Sequence, residues 1–149
     1  MLLQLGIAAV FVAIVSLVRG GFDETAFMMG AAAYFVVAMT LRYTVTWQHR
    51  TGFRLMKAGE FERALPYFER SAAFFSAHPQ VDRFRAITLL SAAQFSYREM
   101  ALCNLAFGLA QLGRGAEAKA AYERVLREYP GNPIANAAMR MILATESRA

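Results

Sequence analysis

Charged residues are almost missing from the N-terminal part of this chain. Within the first 41 residues only Arg19, Asp23 and Glu24 are charged, so nearly all of the 16 basic and 11 acidic side chains follow later. Hydrophobic residues make up 57% of the 149 residues and charged residues 18%, against about 45–50% and about 25% in an ordinary soluble domain. We therefore expect a lipid-compatible N-terminal third and a water-soluble remainder.

Cysteine, proline and glycine are scarce as well. The single cysteine, Cys103, has no partner in the chain, which excludes a disulfide-stapled secreted scaffold. Four prolines and ten glycines in so apolar a chain exclude intrinsic disorder.

Two uncharged runs in the N-terminal third have the length of membrane helices. The first covers residues 2–18, about 25 Å of helix against a hydrocarbon core of about 30 Å. The second covers residues 25–41, and residues 42–47 can extend its helix to Trp47, which suits the membrane interface. We expect a transmembrane helical hairpin over residues 1–47, with spans at about 2–18 and 25–47. A cleaved signal peptide is the alternative, but the first run lacks a basic preceding region and a small-residue cleavage site.

Basic residues set the expected orientation. The segment between the runs has one arginine beside two acids, whereas Arg42, Arg50, Arg54 and Lys57 follow the second run. The positive-inside rule then places both termini in the cytoplasm, as in a two-pass protein of the inner (plasma) membrane. The same four side chains are expected to contact anionic lipid headgroups, in keeping with the net charge of +5.

Helical periodicity dominates the rest of the chain, and no stretch alternates as a strand would. Gly59 and Gly113 are predicted to end helices, and Ser96 has capping-box spacing to Glu99. Asn132 followed by proline predicts a capped C-terminal helix near 133–145. The predicted fold class is therefore all-α.

One segment of this helical region carries a repeat pattern. Seven residues fall at the spacings of a helix-pair repeat: Leu102, Leu105, Ala106, Leu109, Ala118, Tyr122 and Pro130. The pattern resembles the tetratricopeptide repeat (TPR), which reads W-x2-L-G-x2-Y, then A-x3-F, then P. Here leucine replaces the Trp and the first Tyr, alanine replaces the Gly, and tyrosine replaces the Phe.

A second copy of the pattern lies upstream. Its matching residues are Gly52, Leu55, Gly59, Ala64 and Phe68, whereas Gln48, Thr51 and Ser76 depart from it. The two copies are further apart than one period of about 34 residues, which predicts an inserted helix near 81–93. Residues 48–149 are thus expected to form a TPR-like cytoplasmic domain with a capping helix at its end. The alternative for the first helix of the upstream copy is that the second membrane helix simply continues into the cytoplasm. The chain as a whole resembles membrane-anchored TPR proteins of bacterial type with no assigned function.

Catalytic and metal-binding patterns are missing from the sequence. His49 and His78 have no cysteine or acid at metal-ligand spacing, and no Gly-rich phosphate loop is present. Basic and acidic residues interleave, which disfavours nucleic-acid binding. We expect no enzymatic activity, no cofactor, no metal and no small-molecule substrate.

The resemblance implies a binding groove, because the first helix of each TPR pair lines the concave face. On this reading the groove residues are His49, Phe53, Met56, Lys57, Met100, Cys103, Phe107 and Gln111. The alternative is that Phe53 and Phe107 belong to the core. The expected function is a membrane-anchored scaffold for protein–protein interaction in a bacterial inner-membrane assembly. The alternative is an accessory subunit that packs on a larger membrane complex through its transmembrane hairpin.

Overall fold

The fold is known from a computed structural model, which describes residues 2–89, 91 and 93–147. Within these residues the chain forms nine α-helices and no strand, so the all-α fold class is confirmed. The chain divides into two compact units. One consists of Met1–Thr46 with Arg83–Ala93, and the other of Trp47–Asp82 with Gln94–Ala149.

The first unit is built on two apolar helices, α1 (Leu2–Arg19) and α2 (Glu24–Val45). Gly20, with φ of 79°, allows the chain to turn after α1. Asp23 then caps α2, because its carboxylate accepts a hydrogen bond of 2.6 Å from the backbone N–H of Ala26. A short helix, α6 (Arg85–Thr88), packs against both α1 and α2.

Small residues allow α1 and α2 to pack closely. A Cβ atom built on Gly30 would lie 2.5 Å from the Cα of Val12, and Ala26 is fully buried. Phe11 and Tyr34 meet across the same pair with ring centroids 5.8 Å apart. Ala9 and Ala13, which have the same four-residue spacing on α1, are exposed. Ala26 and Gly30 therefore form the close contact of this pair.

The surface of the first unit is strongly apolar. Exposed large side chains on α2 include Phe27, Met28, Met29, Phe35, Val36 and Val37. By length and composition, α2 is long and apolar enough to span a membrane. It ends at Val45 and is capped by Thr46, whose hydroxyl donates to the carbonyl of Arg42 at 2.6 Å, and α3 begins at Trp47.

The second unit is a stack of helices in which each of the two helix pairs is joined by a short turn. Its helices are α3 (Trp47–Lys57), α4 (Phe61–Ala77), α5 (Pro79–Arg83, which ends at the boundary), α7 (Tyr97–Gln111), α8 (Gly115–Glu128) and α9 (Pro133–Glu146). Along the stack, α3 packs on α4, α4 on α7, α7 on α8 and α8 on α9. Gly59 and Gly113 have φ of 77° and 72°, so both end helices as predicted.

The core of this unit combines small and large side chains on facing helices. One cluster consists of Ala72, Ala101, Leu102, Cys103, Ala106, Tyr122, Val125 and Ala135, and a second of Leu65, Leu109 and Ala118. Glycine allows α7 and α3 each to approach α4 closely. A Cβ on Gly108 would lie 2.8 Å from Leu65, and one on Gly52 would lie 3.1 Å from the ring of Phe68.

The segment predicted as one inserted helix over 81–93 differs from that prediction. Instead α5 ends at Arg83, α6 covers only Arg85–Thr88, and the described residues that follow are not helical. The guanidinium of Arg85 donates to the carbonyl of Ala93, with the nearer nitrogen at 3.0 Å. This bond folds the end of the segment back onto its start, and Leu89 is fully buried in the first unit.

Candidate functional site

The eight predicted groove residues lie on α3 and α7, the first helices of the two pairs, but they differ in exposure. Phe53, Lys57, Phe107 and Gln111 are exposed, whereas Met56 and Met100 are partly buried. His49 and Cys103 are only 8% and 5% exposed. Burial removes these two side chains from the open surface that the groove prediction requires, because a partner can contact only what the fold leaves accessible.

His49 is part of the packing between α3, α4 and α7. Its ring lies edge-on to Phe68 at 5.7 Å and to Tyr97 at 5.5 Å, and its Nδ1 is 3.4 Å from the hydroxyl of Ser71. Burial lowers the pKa of His49 to about 4, although the charge of Asp82 acts to raise it. His49 is therefore a neutral interior side chain at physiological pH.

Cys103 is likewise an interior residue of the α7–α8 contact. The pKa of its thiol is raised to about 11, chiefly by burial and also by the nearby charge of Glu99, while a hydrogen bond with Asn132 acts in the opposite direction. A thiol with so high a pKa is almost entirely protonated at neutral pH, and the thiolate is the reactive form. The side chain is thus suited to packing rather than to nucleophilic chemistry.

Phe53 and Phe107 are exposed aromatic side chains of α3 and α7 that belong to the predicted groove. They are 44% and 40% exposed, so they are not core residues, which was the alternative. Phe107 lies edge-on to Phe61, with centroids 6.1 Å apart, and the ammonium of Lys57 lies 4.9 Å from the centre of the Phe53 ring. The exposed part of each side chain is surface on which a partner side chain can pack.

A polar contact fixes the start of α7, the helix that carries Phe107. The carboxylate of Asp82 accepts hydrogen bonds from the backbone N–H groups of Tyr97 and Arg98, at 2.8 and 3.0 Å. A carboxylate at this position satisfies N–H groups that have no partner within the helix, and it complements the helix dipole. Asp82 is nearly fully buried, so the contact fixes the start of α7 against α5.

Arg98 extends this contact to α4 and α8. Its Nε donates to the hydroxyl of Ser76 at 2.6 Å, and its guanidinium forms an ion pair with Glu128. Sequence reasoning identified neither Asp82 nor Arg98, because the partners of each are 15 to 31 residues away in the chain.

The C-terminal helix is fixed by Asn132. This buried side chain accepts from the N–H of Ala135 at 2.8 Å, which confirms the predicted cap, and its amide donates to the carboxylate of Glu99 at 2.8 Å. Ser96 caps α7 as predicted, accepting from the N–H of Glu99 at 3.0 Å. One asparagine thus ties the start of α9 to the first turn of α7.

The four predicted headgroup residues are all exposed. Arg42 lies near the end of α2 in the first unit, and Arg50, Arg54 and Lys57 lie on α3 in the second unit. Trp47, at the first position of α3, is also exposed, and it lies edge-on to Tyr67 of α4 at 6.1 Å.

Two further features bear on the chemistry of the second unit. An open cavity of about 500 Å³ lies between the α7–α8 turn and the end of α9, and Met141 and Ile142 are among its lining residues. In the part of the chain that the structure describes, no three His, Cys, Asp or Glu side chains are grouped to hold a metal ion.

Comparison of this chain with protein-family models, with curated proteins and with solved structures finds no match. No residue role is transferred to it from another protein.

Proposed function

We propose that this protein is a membrane-anchored, TPR-like scaffold that binds a protein partner in a bacterial inner-membrane assembly. In this proposal α1 and α2 are a two-pass anchor with both termini in the cytoplasm. The helical stack from α3 to α9 is the cytoplasmic binding domain. The protein acts by holding its partner at the membrane and carries out no chemical step of its own.

The apolar helices support the anchor. In water, exposed side chains such as Phe27, Met28 and Phe35 would form an apolar surface far larger than soluble proteins tolerate. In a bilayer the same surface faces lipid. The close contact at Ala26 and Gly30 is the kind of small-residue packing by which membrane helices associate.

The order of helices in the second unit supports the repeat. The pairs α3–α4 and α7–α8 each consist of two helices joined by a turn with a positive-φ glycine. Small residues of the repeat pattern, Ala64, Ala106 and Ala118, are fully or almost fully buried. Stacked pairs of this kind bury their apolar faces only against their neighbours, and a final helix covers the last pair, which is the role we assign to α9.

The observation that carries the proposal is the exposure of Phe53 and Phe107 on the first helices of the two pairs. Aromatic side chains dominate the binding energy of protein interfaces when they enter a pocket of the partner. Met56 and Met100, both partly buried, add flexible apolar surface on the same two helices. The groove that we propose therefore consists of Phe53, Met56, Lys57, Met100, Phe107 and Gln111, without His49 and Cys103.

Site-specific photo-crosslinking of the full chain in bacterial membranes tests this function. A photoreactive phenylalanine analogue replaces Phe53 or Phe107, and in parallel it replaces Phe35 on α2 or Ile134 on α9, which are exposed elsewhere. We expect positions 53 and 107 to crosslink the same protein, and position 134 to give none of that product. The Phe53→Asp/Phe107→Asp chain, with unchanged helical content by circular dichroism, should lose at least about tenfold of that partner on affinity capture.

Other crosslinking patterns contradict the groove. If the double variant retains its partner, or if positions 53 and 107 give no common product, then the exposed rings do not form the binding surface. If crosslinks appear instead at position 35, the contact lies in the membrane helices.

That last outcome would favour the second candidate function, an accessory subunit packed through its membrane helices. A specific feature of α2 supports it. A shallow groove of about 450 Å³ follows the C-terminal half of this helix, with an apolar lining of Phe35, Val36, Met39, Thr40, Tyr43 and Thr44. A helix of a larger membrane complex would fit such a groove.

A further inference from the structure

We propose that the α6 segment is a third membrane-embedded part of this chain, which enters the acyl-chain region of the bilayer from the cytoplasmic side and returns to that side. The α6 segment consists of α6 (Arg85–Thr88) with Phe84, Leu89, Ser91 and Ala93. The inference rests on the proposed membrane anchor and extends it beyond two spans. It leaves the groove on α3 and α7 unchanged.

The composition of this part of the chain resembles that of the N-terminal third. Residues 84–93 read FRAITLLSAA and contain a single charged residue, Arg85. In α4 and α8, by contrast, acids and bases interleave. An apolar run of about ten residues is too short to span a bilayer, and it is typical of a core helix or of a re-entrant segment. The contacts of the segment decide between these two.

Those contacts are with the two proposed membrane helices. The helix α6 packs against both α1 and α2, and Leu89 is fully buried in the same unit. The 18 residues of α1 rise about 27 Å, which is less than a hydrocarbon core of about 30 Å. An α1 that spans the membrane therefore has no turn to spare outside the hydrocarbon region. A helix that packs on α1 then lies at membrane depth.

The path of the chain requires the segment to return to the side from which it came. The chain leaves the second unit after Asp82 and re-enters the same unit at Gln94. Both ends of the excursion thus belong to one compact unit, which the proposed function places in the cytoplasm. A re-entrant segment has this connectivity, whereas a third span does not.

The irregular backbone after α6 has the internal hydrogen bonds that a lipid environment demands. The carbonyl of Arg85 accepts from the N–H groups of Leu89 and Ser91, at 3.0 and 3.1 Å. The N–H of Ala93 donates to the hydroxyl of Ser91 at 3.4 Å, and its carbonyl accepts from the guanidinium of Arg85 at 3.0 Å. Non-helical backbone is tolerated at membrane depth only where such bonds replace those to water. An arginine at that depth is tolerated when it pairs in this way with a backbone carbonyl.

The orientation of the side chains identifies acyl chains as the surroundings. Phe84 and Ala86 are exposed, whereas the polar Ser91 is buried. The guanidinium of Arg83, which is exposed just before the segment, lies 5.7 Å from the centre of the Phe84 ring. An aromatic ring beside an arginine that reaches outward is typical of the level at which a chain enters the membrane.

Tryptophan fluorescence of the full chain in lipid nanodiscs tests the depth of the segment. Trp47 is the only tryptophan, so the Trp47→Phe/Phe84→Trp chain has a single reporter at position 84. Two matched chains carry the reporter at other exposed apolar positions, Phe35→Trp on α2 and Ile134→Trp on α9, in the same Trp47→Phe background. Quenching by lipids brominated along the acyl chain is measured for all three.

We expect quenching at position 84 to exceed that at position 134 by at least about twofold and to approach that at position 35. Quenching at position 84 no greater than at position 134, with position 35 strongly quenched, would overturn the inference and leave the proposed anchor in place. If position 35 is not quenched either, the anchor fails as well, so the two failures are distinguishable.

A cysteine at position 86 provides a second readout that does not depend on the aromatic exchange. Protein leaves Ala86 exposed, so only lipid can shield a side chain there from water. In membranes of opened cells, we expect a water-soluble maleimide to label Ala86→Cys at least about tenfold more slowly than Gly131→Cys, because a thiol reacts through its hydrated thiolate. The two variants should be labelled alike after denaturation in detergent. Equal labelling of both in the native membranes would contradict an embedded α6 segment.

Discussion

At the scale of single residues, His49 makes the stability of the second unit depend on pH. Burial lowers its pKa in the folded chain to about 4, whereas an unfolded histidine has a pKa of about 6.5. Between these values the unfolded chain takes up a proton that the folded chain does not. The contribution of neutral His49 is therefore fully present above about pH 6.5, and it is lost as the pH falls towards 4, by up to about 3 kcal/mol.

Urea unfolding of the detergent-solubilised chain at a series of pH values between 7.5 and 4.5 measures this effect. We expect the free energy of unfolding to fall across this range in the natural chain and in a His78→Gln control, because His78 is exposed. The fall should be smaller by a large part of those ~3 kcal/mol in His49→Gln, which is uncharged throughout. The same slope in both variants would show that His49 is not buried as described.

The sequence pattern predicted that His49 and Cys103 lie on helices, but it did not predict that both side chains are buried. His49 and Cys103 fall at groove positions of the TPR pattern, yet both are interior side chains. Spacing along a helix fixes which residues share a face, but it does not fix how wide the buried sector is. For α3, that sector extends over His49 because Ser71 and Tyr97 come from two other helices to meet it.

At the scale of helices, the caps of α7 and α9 differ in what they hold. Ser96 satisfies one N–H group of α7, whereas Asn132 caps α9 and also binds Glu99 of α7. We expect Ser96→Ala to lower the free energy of unfolding by about 1 kcal/mol. Asn132→Ala should cost about 2–3 kcal/mol, because a buried hydrogen bond to a carboxylate is lost as well.

Thermal and urea unfolding of the two variants in the same detergent checks this difference. Asn132→Ser is the intermediate case, since it retains a cap oxygen but lacks the amide that reaches Glu99. Equal costs for Ser96→Ala and Asn132→Ala would contradict a tie between α9 and α7.

Two glycines, Gly30 and Gly6, allow a controlled test of the contact between α1 and α2. A Cβ on Gly30 would meet the backbone of Val12 at 2.5 Å, whereas a Cβ on Gly6 of α1 would meet nothing within 4 Å. Gly30→Val should therefore separate the two helices, and Gly6→Val should leave them in place.

Disulfide formation between cysteines at positions 11 and 34, where two rings meet in the natural chain, measures the separation in membranes. We expect the yield to fall at least about fivefold with Gly30→Val and to stay unchanged with Gly6→Val. If the yield is insensitive to Gly30→Val, α1 and α2 do not pack through this glycine.

The segment between the two helix pairs shows where sequence reasoning reached its limit. The extra length between the two repeat copies predicts one helix near 81–93, whereas the structure has α6 of four residues and a bond from Arg85 to Ala93. Asp82 is held by the start of α7, and Leu89 is buried in the first unit. Contacts at both ends of the segment, made with distant parts of the chain, outweigh its local helical preference.

At the scale of the whole molecule, the scarcity of charge before Arg42 predicts an apolar N-terminal part. The interfacial character of Trp47 set the predicted end of that part at residue 47, and the second unit begins at Trp47. The return of Arg83–Ala93 to the first unit was not predictable. It depends on packing against α1 and α2, and no local pattern in that segment encodes such packing.

The membrane topology of the intact chain is the most direct test of the account. Gly21→Cys and Gly131→Cys form a matched pair, because neither glycine has a neighbour within 4 Å of an added Cβ and neither has a positive φ. The natural Cys103 is buried, and its pKa of about 11 should keep it silent to a membrane-impermeant maleimide, so the unmodified chain is the blank.

We predict that Gly21→Cys is labelled in intact bacterial cells, since it lies between the two spans on the outer side. Gly131→Cys should be labelled only after the cells are opened, because the helical stack lies in the cytoplasm. Labelling of Gly131→Cys in intact cells, or protection of Gly21→Cys until lysis, would contradict a two-pass anchor with a cytoplasmic binding domain.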